Sequence, residues 1–582
     1  MKLNNVVRKV ATVTSVAGLM VAGVFAVPAA HAARSTVVIH ETNAFTSLNT
    51  GTPDTNLTTN TDIAYMTGMG FNYYDDKKNL VANTVLGSYK VIKNKSNDFR
   101  VQWTVNPGRV WSDGTPIDAR DMLIGHVLSS SAYSKAAGLG DPNDEKNPPA
   151  FNSLGYGGTY DSHIVGLPTI SADGMSVTLK FDAPVPNWEL YGPGISPAYT
   201  YLELANGLKG LQSVADNNKA KDAVVKAIQT KDTATLKKIA KVWNEAYNIT
   251  TIDSSTNPLL LVSNGAYLVN SAVKDQSVTL KPNPKYNSGP KTTGSIDTVV
   301  FRFIADGTAA AQALANGELD MYQGQATADA VTQLKAMKGV TVLGGTNACY
   351  EHVDLRTAAN QGTKDVYTGP FAASSPNGKA LRQAFLLAYP RQEIMDKIVK
   401  PINATANLMN SLLVFPKEPG YADMVAKNGS SKFTSGTQDD RTAQALALVK
   451  KYYPDASATN GAVKVRLLWG QPTNARRAAE AALVKAALAK AGFDVNTTPT
   501  SGWSRYLADT KYDAMFFAWV KSAITQKGNA DLFCTKCDNN SLGYSNATVD
   551  KLVEERGEDV VFFDGRNAYE AKIGRASCRE RV

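Results

Sequence analysis

The sequence has little of what metal sites and nucleophilic catalysis require. Among its 582 residues there are four cysteines and five histidines. It lacks the H-E-x-x-H motif of zinc proteases, the G-x-S-x-G motif of serine hydrolases and the G-x-x-x-x-G-K-[ST] phosphate-binding loop. Carboxylate pairs occur throughout the chain and therefore identify no site. We predict that the protein is not an enzyme and has no catalytic residues, no metal site and no cofactor.

A large excess of positive charge is also absent from the body of the chain. The net charge of +9 includes three positive charges within residues 1–32 and a net two within residues 573–582. The remaining +4 is spread over the 540 residues between these ends. No dense run of lysine and arginine with interleaved aromatic residues remains, so we expect no nucleic-acid partner.

Long hydrophobic runs are missing except at the start of the chain. Basic residues precede an apolar stretch over residues 10–27, and Ala30-His31-Ala32 follows it. This pattern is typical of a secretory signal peptide that is cleaved after Ala32. The stretch is close to membrane-spanning length, so an uncleaved anchor is the alternative. No cysteine follows the run closely, so we expect no lipid anchor there.

The last ten residues, 573–582, differ from the body of the chain. Their sequence, IGRASCRERV, looks like a translated sequencing adapter. We interpret this segment as a non-native tail, with a native basic tail as the alternative.

The remaining cysteines include one closely spaced pair. Cys534 and Cys537 form a C-x-x-C motif among aspartate and asparagine residues, which are typical of a loop. A metal site would need two further ligands, and none lies nearby in the sequence. We favour a local disulfide, and two free thiols are the alternative.

The pattern of strands and helices indicates more than one hydrophobic core. Chains longer than about 250–300 residues usually divide into domains. After a first part rich in short alternating segments, the sequence predicts strands at residues 298–304, 463–468 and 512–519 and helices at residues 308–316 and 474–491. This alternation favours an α/β fold with mixed sheets.

An insertion-like segment covers about residues 203–248. Leu236, Ile239, Ala240 and Trp243 recur within it at helical spacing. We predict a helix that packs on the core, and a partner-binding helix is the alternative.

The most specific pattern is RVWSDGTPIDARD at residues 109–121. Alternation over residues 99–105 predicts a strand before it, and residues 118–127 are predicted to be helical. This strand, turn and helix closely resemble the signature of the peptide/nickel family (family 5) of extracytoplasmic solute-binding proteins, which serve ABC importers. Further segments resemble the family in the same order: NGAY at 264–267, ALANGELD at 313–320, LRQAF at 381–385 and GYSN at 543–546.

The resemblance implies an architecture. It spans roughly residues 80–570 and implies a two-lobed, periplasmic-binding-protein-like α/β fold with mixed sheets and a cleft between the lobes. Lobe I is expected at residues 33–296 and lobe II at residues 297–572. The family's final segment, which returns to lobe I, is not found, and we interpret the chain as truncated at its C-terminus.

The resemblance also implies a function. It predicts a monomeric substrate-binding component of an ABC importer, located in the periplasm or at the cell surface. This component would capture an oligopeptide or peptide-like solute and deliver it to the permease complex in the membrane. The alternatives are an exported hydrolase, a surface adhesin or chaperone, and a family member that binds an oligosaccharide or a nickel chelate.

The resemblance further indicates site residues. Trp503 and Trp519 match positions at which relatives place tryptophans facing the cleft. Tyr350 and His352 share one face of a predicted strand and are candidate pocket residues, although His352 could instead be structural. Members that grip a peptide's α-amino group carry an aspartate where this chain has Ser522. A serine cannot pair with an ammonium group, a difference of about 1.5–3 kcal/mol.

Overall fold

The computed structural model describes residues 35–551, apart from residues 76–78, 143, 145, 186–187, 325, 344–348, 360–364, 413, 417–419, 471, 473, 501–502, 521–531, 534 and 536–539. The predicted signal peptide, the segment interpreted as a non-native tail, Ser522 and the C-x-x-C pair all lie outside the described residues. Among the helices of the described part, none has the length and apolar character needed to cross a bilayer.

The strands are numbered along the chain. They are β1 (Thr36–Glu41), β2 (Asn72–Tyr74), β3 (Leu80–Ala82), β4 (Gly87–Lys95), β5 (Asp98–Val105), β6 (Thr169–Ile170), β7 (Ser176–Phe181), β8 (Tyr267–Val273), β9 (Ser277–Pro282), β10 (Thr298–Phe303), β11 (Cys349–Leu355), β12 (Val463–Gly470), β13 (Phe493–Thr500) and β14 (Ala514–Val520).

The α-helices are numbered in the same way. They are α1 (Thr58–Thr67), α2 (Arg120–Ser129), α3 (Ser131–Ala136), α4 (Thr159–His163), α5 (Ala198–Ala205), α6 (Val214–Thr230), α7 (Thr233–Glu245), α8 (Gly307–Ala315), α9 (Ala328–Ala336), α10 (Gly378–Ala388), α11 (Arg391–Ile394), α12 (Tyr421–Lys427), α13 (Gln438–Lys450) and α14 (Ala475–Ala489).

Three four-stranded sheets organise these elements. Sheet A has the order β1-β10-β9-β8, sheet B the order β4-β5-β7-β6, and sheet C the order β11-β14-β12-β13. Sheets A and C each contain parallel and antiparallel pairs, whereas sheet B is antiparallel throughout. The α/β fold with mixed sheets that the sequence predicted is therefore confirmed.

Sheet B contains the strand predicted before the signature. Along β5, the residues Phe99, Val101, Trp103 and Val105 are buried and alternate with partly exposed neighbours, as a half-buried strand requires. The helix that follows begins at Arg120 rather than at residue 118. The chain before it is still paired with neighbouring segments, since Ile117 N–H donates to Arg109 O at 2.8 Å and Ala119 N–H donates to Gly174 O at 2.9 Å.

The insertion-like segment forms the helices α6 and α7. The apolar face of α7 is buried at Leu236, Ile239, Ala240 and Trp243, which pack with α2 and α5. The Trp243 ring meets Phe151 edge-on, at 5.9 Å between centroids. The prediction of a helix that packs on the core is confirmed.

Strand β10 belongs to sheet A, with strands from the N-terminal part of the chain. Residues 298–304 fall within the predicted lobe II, but β10 pairs in parallel with β1 and antiparallel with β9. Helix α8 packs on the same strands through Ala310 and Ala313, which contact Val38. Hydrogen bonding thus ties residues up to about 315 to the N-terminal part, whereas sheet C is built only from residues after 348.

Candidate functional site

Sheet C brings four of the five predicted site residues to one place. Strands β11 and β14 pair antiparallel, with Tyr350 opposite Trp519 and His352 opposite Phe517. Side chains of directly opposed residues point to the same face of a sheet. A short 3₁₀ helix at Trp503–Tyr506 adds Trp503 to this face, where it packs with Phe517 and Trp519.

The rings form a continuous aromatic cluster, defined here as Tyr350, His352, Trp503, Phe517 and Trp519. Phe517 is at its centre, with ring centroids 4.4 Å from His352, 5.0 Å from Trp503 and 5.3 Å from Trp519. The Tyr350 ring lies 5.2 Å from His352. Phe517 and Tyr350 are buried, while both tryptophans and His352 stay partly exposed.

Sequence reasoning missed Phe517, although the signal was available. Phe517 precedes Trp519 by two residues on an alternating strand, so the two must share a face. Phe415 was also missed. Its ring meets Tyr350 edge-on at 5.6 Å, and nothing in the sequence connects a residue 65 positions away to that strand.

Several polar ring atoms of the cluster are buried without a hydrogen-bond partner among the described residues. These are Trp519 Nε1 and the two ring nitrogens of His352. His352 Nδ1 lies 3.2 Å from Asp354 Oδ1, but it does not have the geometry of a hydrogen bond. Buried donors and acceptors are normally satisfied, so the hydrogen bonding of these three atoms is incomplete among the described residues.

The opposite face of sheet C is packed against helices. Leu467, Ala514 and Phe516 are buried there in one apolar core with residues of α10, α13 and α14. The Trp469 and Phe516 rings stack within this core, 5.9 Å apart. The aromatic cluster is therefore carried by a sheet whose other face is fixed by close packing.

One glycine is required by the position of Trp503. The Trp503 indole lies directly on Gly470, the last residue of β12, and a Cβ added there would collide with the indole ring. Any larger residue at position 470 would displace Trp503 from the cluster.

The signature segment lies elsewhere, between sheet B and α6. Trp111 is fully buried, and Asp113 Oδ2 accepts hydrogen bonds from Tyr199 and Asn217 at 2.8 and 3.0 Å. Lys221 of α6 reaches Asp121 at 2.5 Å. The most recognisable motif of the sequence is therefore held inside the fold.

Two carboxylates, the buried Glu41 and the partly exposed Asp62, lie near the end of β1. Glu41 accepts hydrogen bonds from Thr59 Oγ1 and Gln323 Nε2, both at 3.0 Å, and Gln323 also reaches Asp62 at 3.4 Å. Burial, together with the charge of Asp62, raises the pKa of Glu41 to about 7. A shallow recess beside it is lined by Glu41 and Phe301 among others. These residues are far apart in sequence, so no local pattern predicts the pair.

Comparison with known proteins decides the family. The family model "Bacterial extracellular solute-binding proteins, family 5 Middle" matches residues 89–541. The chain belongs to this family. Family 5 proteins are extracytoplasmic solute-binding components of ABC importers and are not enzymes.

Proteins similar to this chain include peptide-binding members of family 5. The chain is 22% identical over 477 residues to the periplasmic oligopeptide-binding protein OppA of Salmonella typhimurium, and the match covers 79% of this chain and 72% of OppA. Among solved structures, the periplasmic EDTA-binding protein EppA matches with a TM-score of 0.66 and 19% identity, over 94% of this chain and 89% of EppA. Haemophilus influenzae OppA in complex with RPPGFSPFR matches with a TM-score of 0.62 and 16% identity, over 94% and 92%.

These structural neighbours confirm the two-lobed periplasmic-binding-protein fold. A separate match is confined to 27 residues, 5% of the chain, which are 85% identical to the tRNA uridine(34) hydroxylase of Corynebacterium urealyticum. The chain covers 9% of that protein, so this match carries no argument about activity.

Proposed function

We propose that this family 5 protein captures oligopeptides or peptide-like solutes outside the cytoplasmic membrane and delivers them to an ABC permease. The observation that carries the proposal is the aromatic cluster on sheet C. Flat apolar ring faces bury peptide side chains without dictating their identity. The Trp519 indole N–H would donate a hydrogen bond to a carbonyl of the bound peptide, and a His352 ring nitrogen would donate or accept one, depending on its tautomer.

The proposed mechanism uses the two lobes as a clamp. The ligand binds against the cluster, the lobes close about the connection between them, and the closed form docks on the permease. We place residues 33–296, together with β10 and α8, in lobe I, and the following residues up to 572 in lobe II. The mature protein acts as a monomer after removal of its signal peptide, and it releases the ligand chemically unchanged.

A second candidate is a non-peptide ligand such as a metal chelate. Two observations favour it: the fold is shared with an EDTA-binding protein, and Ser522 stands where peptide-gripping relatives carry an aspartate. The fold alone therefore does not select a peptide.

The test is calorimetric titration with the peptide RPPGFSPFR and, separately, with nickel-EDTA. We expect the peptide to bind, to be recovered intact by mass spectrometry, and to bind about 30-fold more weakly to Trp519→Ala, since a buried aromatic contact contributes about 2 kcal/mol. The matched control is Trp188→Ala, because Trp188 packs in sheet B against Tyr89 at 5.5 Å.

The control variant should lose thermal stability and keep wild-type affinity for the peptide. Unchanged affinity in Trp519→Ala would exclude the aromatic cluster as the site. Binding of the chelate alone would favour the second candidate, and cleavage of the peptide would favour an exported hydrolase.

A further inference from the structure

A network of charged side chains lies behind the aromatic cluster. Glu351 sits on β11 between Tyr350 and His352, so its side chain points to the opposite face of sheet C. There it contacts two consecutive arginines at the start of α14. Arg477 Nε donates to Glu351 Oε1 at 2.9 Å, and Arg476 Nη1 pairs with Glu351 Oε2.

Arg477 also contacts Gly470, the residue on which Trp503 packs. Arg477 Nη1 donates to Gly470 O at 3.4 Å, and the Trp503 indole packs directly on Gly470. A continuous chain of contacts therefore runs from Glu351 through Arg477 and Gly470 to Trp503. It joins the helix-packed face of sheet C to the face that carries the cluster.

The charges in this network compensate one another in a largely buried place. The side chains of Arg477 and Glu351 are 8% and 21% exposed. Burial alone would raise the pKa of Glu351, but Arg476 and Arg477 outweigh it, so the pKa is lowered. Positive side chains in the first turn of a helix oppose the helix dipole. Arg476 offsets this by an ion pair with Glu480, four residues later in α14, at 2.6 Å. For Arg477, the contacts with Glu351 and Gly470 explain its position.

We propose that Arg477, held by Glu351, is a positioning residue for the ligand site. It fixes the end of β12 at Gly470 and thereby the placement of Trp503 against Phe517. The placement of Trp503 sets the shape of the aromatic surface that a ligand side chain contacts. This role in ligand selection rests on the proposed function, whereas the positioning of Trp503 is a property of the ligand-free protein.

The first test therefore needs no ligand. The protein labelled with 5-fluorotryptophan gives one ¹⁹F signal for each of its seven tryptophans, and Trp503→Phe identifies the signal of Trp503. We expect Arg477→Lys to shift that signal by more than its line width, because lysine cannot contact Glu351 and Gly470 O together. Glu351→Gln, which removes the carboxylate but keeps the shape, should shift it in the same way.

The matched control is Arg466→Lys. Arg466 lies on the same strand, β12, and pairs with the buried Asp513 at 2.6 Å, but it does not contact Gly470 in the described structure. The Arg466→Lys substitution should lower the thermal stability and leave the chemical shift of the Trp503 signal unchanged. A wild-type Trp503 signal in both Arg477→Lys and Glu351→Gln would overturn the proposal, as would an equal shift in Arg466→Lys. If Arg477→Lys does not fold, Glu351→Gln alone decides.

Titration with RPPGFSPFR separates this inference from the proposed function. We expect Arg477→Lys to weaken peptide binding at least threefold, and to have no further effect in the Trp503→Phe background, because both changes act through one ring. A shifted Trp503 signal with no peptide binding by the wild-type protein would refute the proposed function and support the positioning role. Additive losses in the double variant would refute the action of Arg477 through Trp503.

Discussion

The signature segment pairs its buried charges within the protein, whereas the aromatic cluster presents partly exposed rings. In the signature segment, buried charges are neutralised inside the protein. Lys221, which is 2% exposed, lies between Asp121 and Asp118 at 2.5 and 3.5 Å. Both regions keep buried polar atoms without a hydrogen-bond partner among the described residues, such as Asp121 Oδ1 in the first and Trp519 Nε1 in the second. The difference is that the first region pairs its charges inside the protein, whereas the second presents the partly exposed rings of Trp503, Trp519 and His352.

This difference teaches where family resemblance and function lie. In the longest motif, residues 109–121, the side chains of Asp113, Thr115 and Asp121 all contact α6, which restricts those positions to residues that can make these contacts. Ligand contacts impose fewer constraints, since aromatic faces tolerate many partners. A strong resemblance therefore identifies the fold and the family more sharply than it identifies the ligand.

Removal of the buried lysine should have the largest effect. Lys221→Met leaves Asp121, whose side chain is 0% exposed, without its cation. Loss of one partner of a buried ion pair costs about 3–5 kcal/mol. We expect the free energy of unfolding, measured by urea denaturation, to fall by about that amount, while the affinity for ligand changes little.

The control for this variant is Lys219→Met on the same helix. Lys219 pairs with Asp216 at 2.8 Å, but the two side chains are 78% and 54% exposed, so the expected loss of stability is much smaller. Equal losses in the two variants would mean that the buried charges do not stabilise this region. A Lys221→Met variant with normal stability but weak ligand binding would reverse the roles assigned to the two regions.

An intermediate effect is expected at Glu203, which lies close to the signature segment. Glu203 is 3% exposed, and burial together with the charges of Asp113 and Asp216 raises its pKa from 4.5 to about 7. A carboxyl group whose pKa is raised by folding favours the folded state while protonated. Its contribution is complete below about pH 4.5 and is lost as the pH rises through about 7.

Glu203→Gln should therefore stabilise the protein at pH 8 and not at pH 4.5. We expect a gain of about 2 kcal/mol in the free energy of unfolding at pH 8, given about 1.4 kcal/mol per pKa unit and some screening by nearby solvent. Glu245→Gln, at a site 64% exposed, serves as the control and should change stability equally little at both pH values. A pH-independent difference between Glu203→Gln and the wild type would contradict this assignment.

Much of the fold could be predicted because its signals are local. Strand β5 and helices α7 and α14 follow from hydrophobic periodicity within short windows. The sheet membership of β10 could not be predicted in this way, since its partner β1 lies some 260 residues earlier. The ion pair of Lys221 with Asp121 escaped for the same reason, because 100 residues separate the two side chains.

For the candidate site, resemblance found residues that local pattern could not. Trp503 and Trp519 came from matches to family positions. In the structure both rings contact Phe517, which lies between them. Gly470 and Arg477 were missed because their importance arises from contacts with Trp503 and Glu351. Such contacts exist only after β11, β12 and α14 have assembled.

The smallest effect concerns the amino group of a bound peptide. It tests whether the ligand site at the aromatic cluster includes a charged group that binds this amine. The family resemblance predicts that Ser522, outside the described residues, takes the place of an aspartate that grips the amino group in peptide-binding members. A serine offers an ammonium group only a neutral hydrogen bond, which is weaker by about 1.5–3 kcal/mol than a charge-assisted one. N-acetylated RPPGFSPFR should therefore bind within tenfold of the free peptide in calorimetric titration. Ser522→Asp should create a preference for the free amine of tenfold or more, equivalent to about 1.4 kcal/mol. If acetylation already weakens binding to the wild type by more than tenfold, a carboxylate other than residue 522 holds the amine. In that case the ligand site combines the aromatic cluster with an ion pair, as the signature segment combines apolar packing with the pair of Lys221 and Asp121.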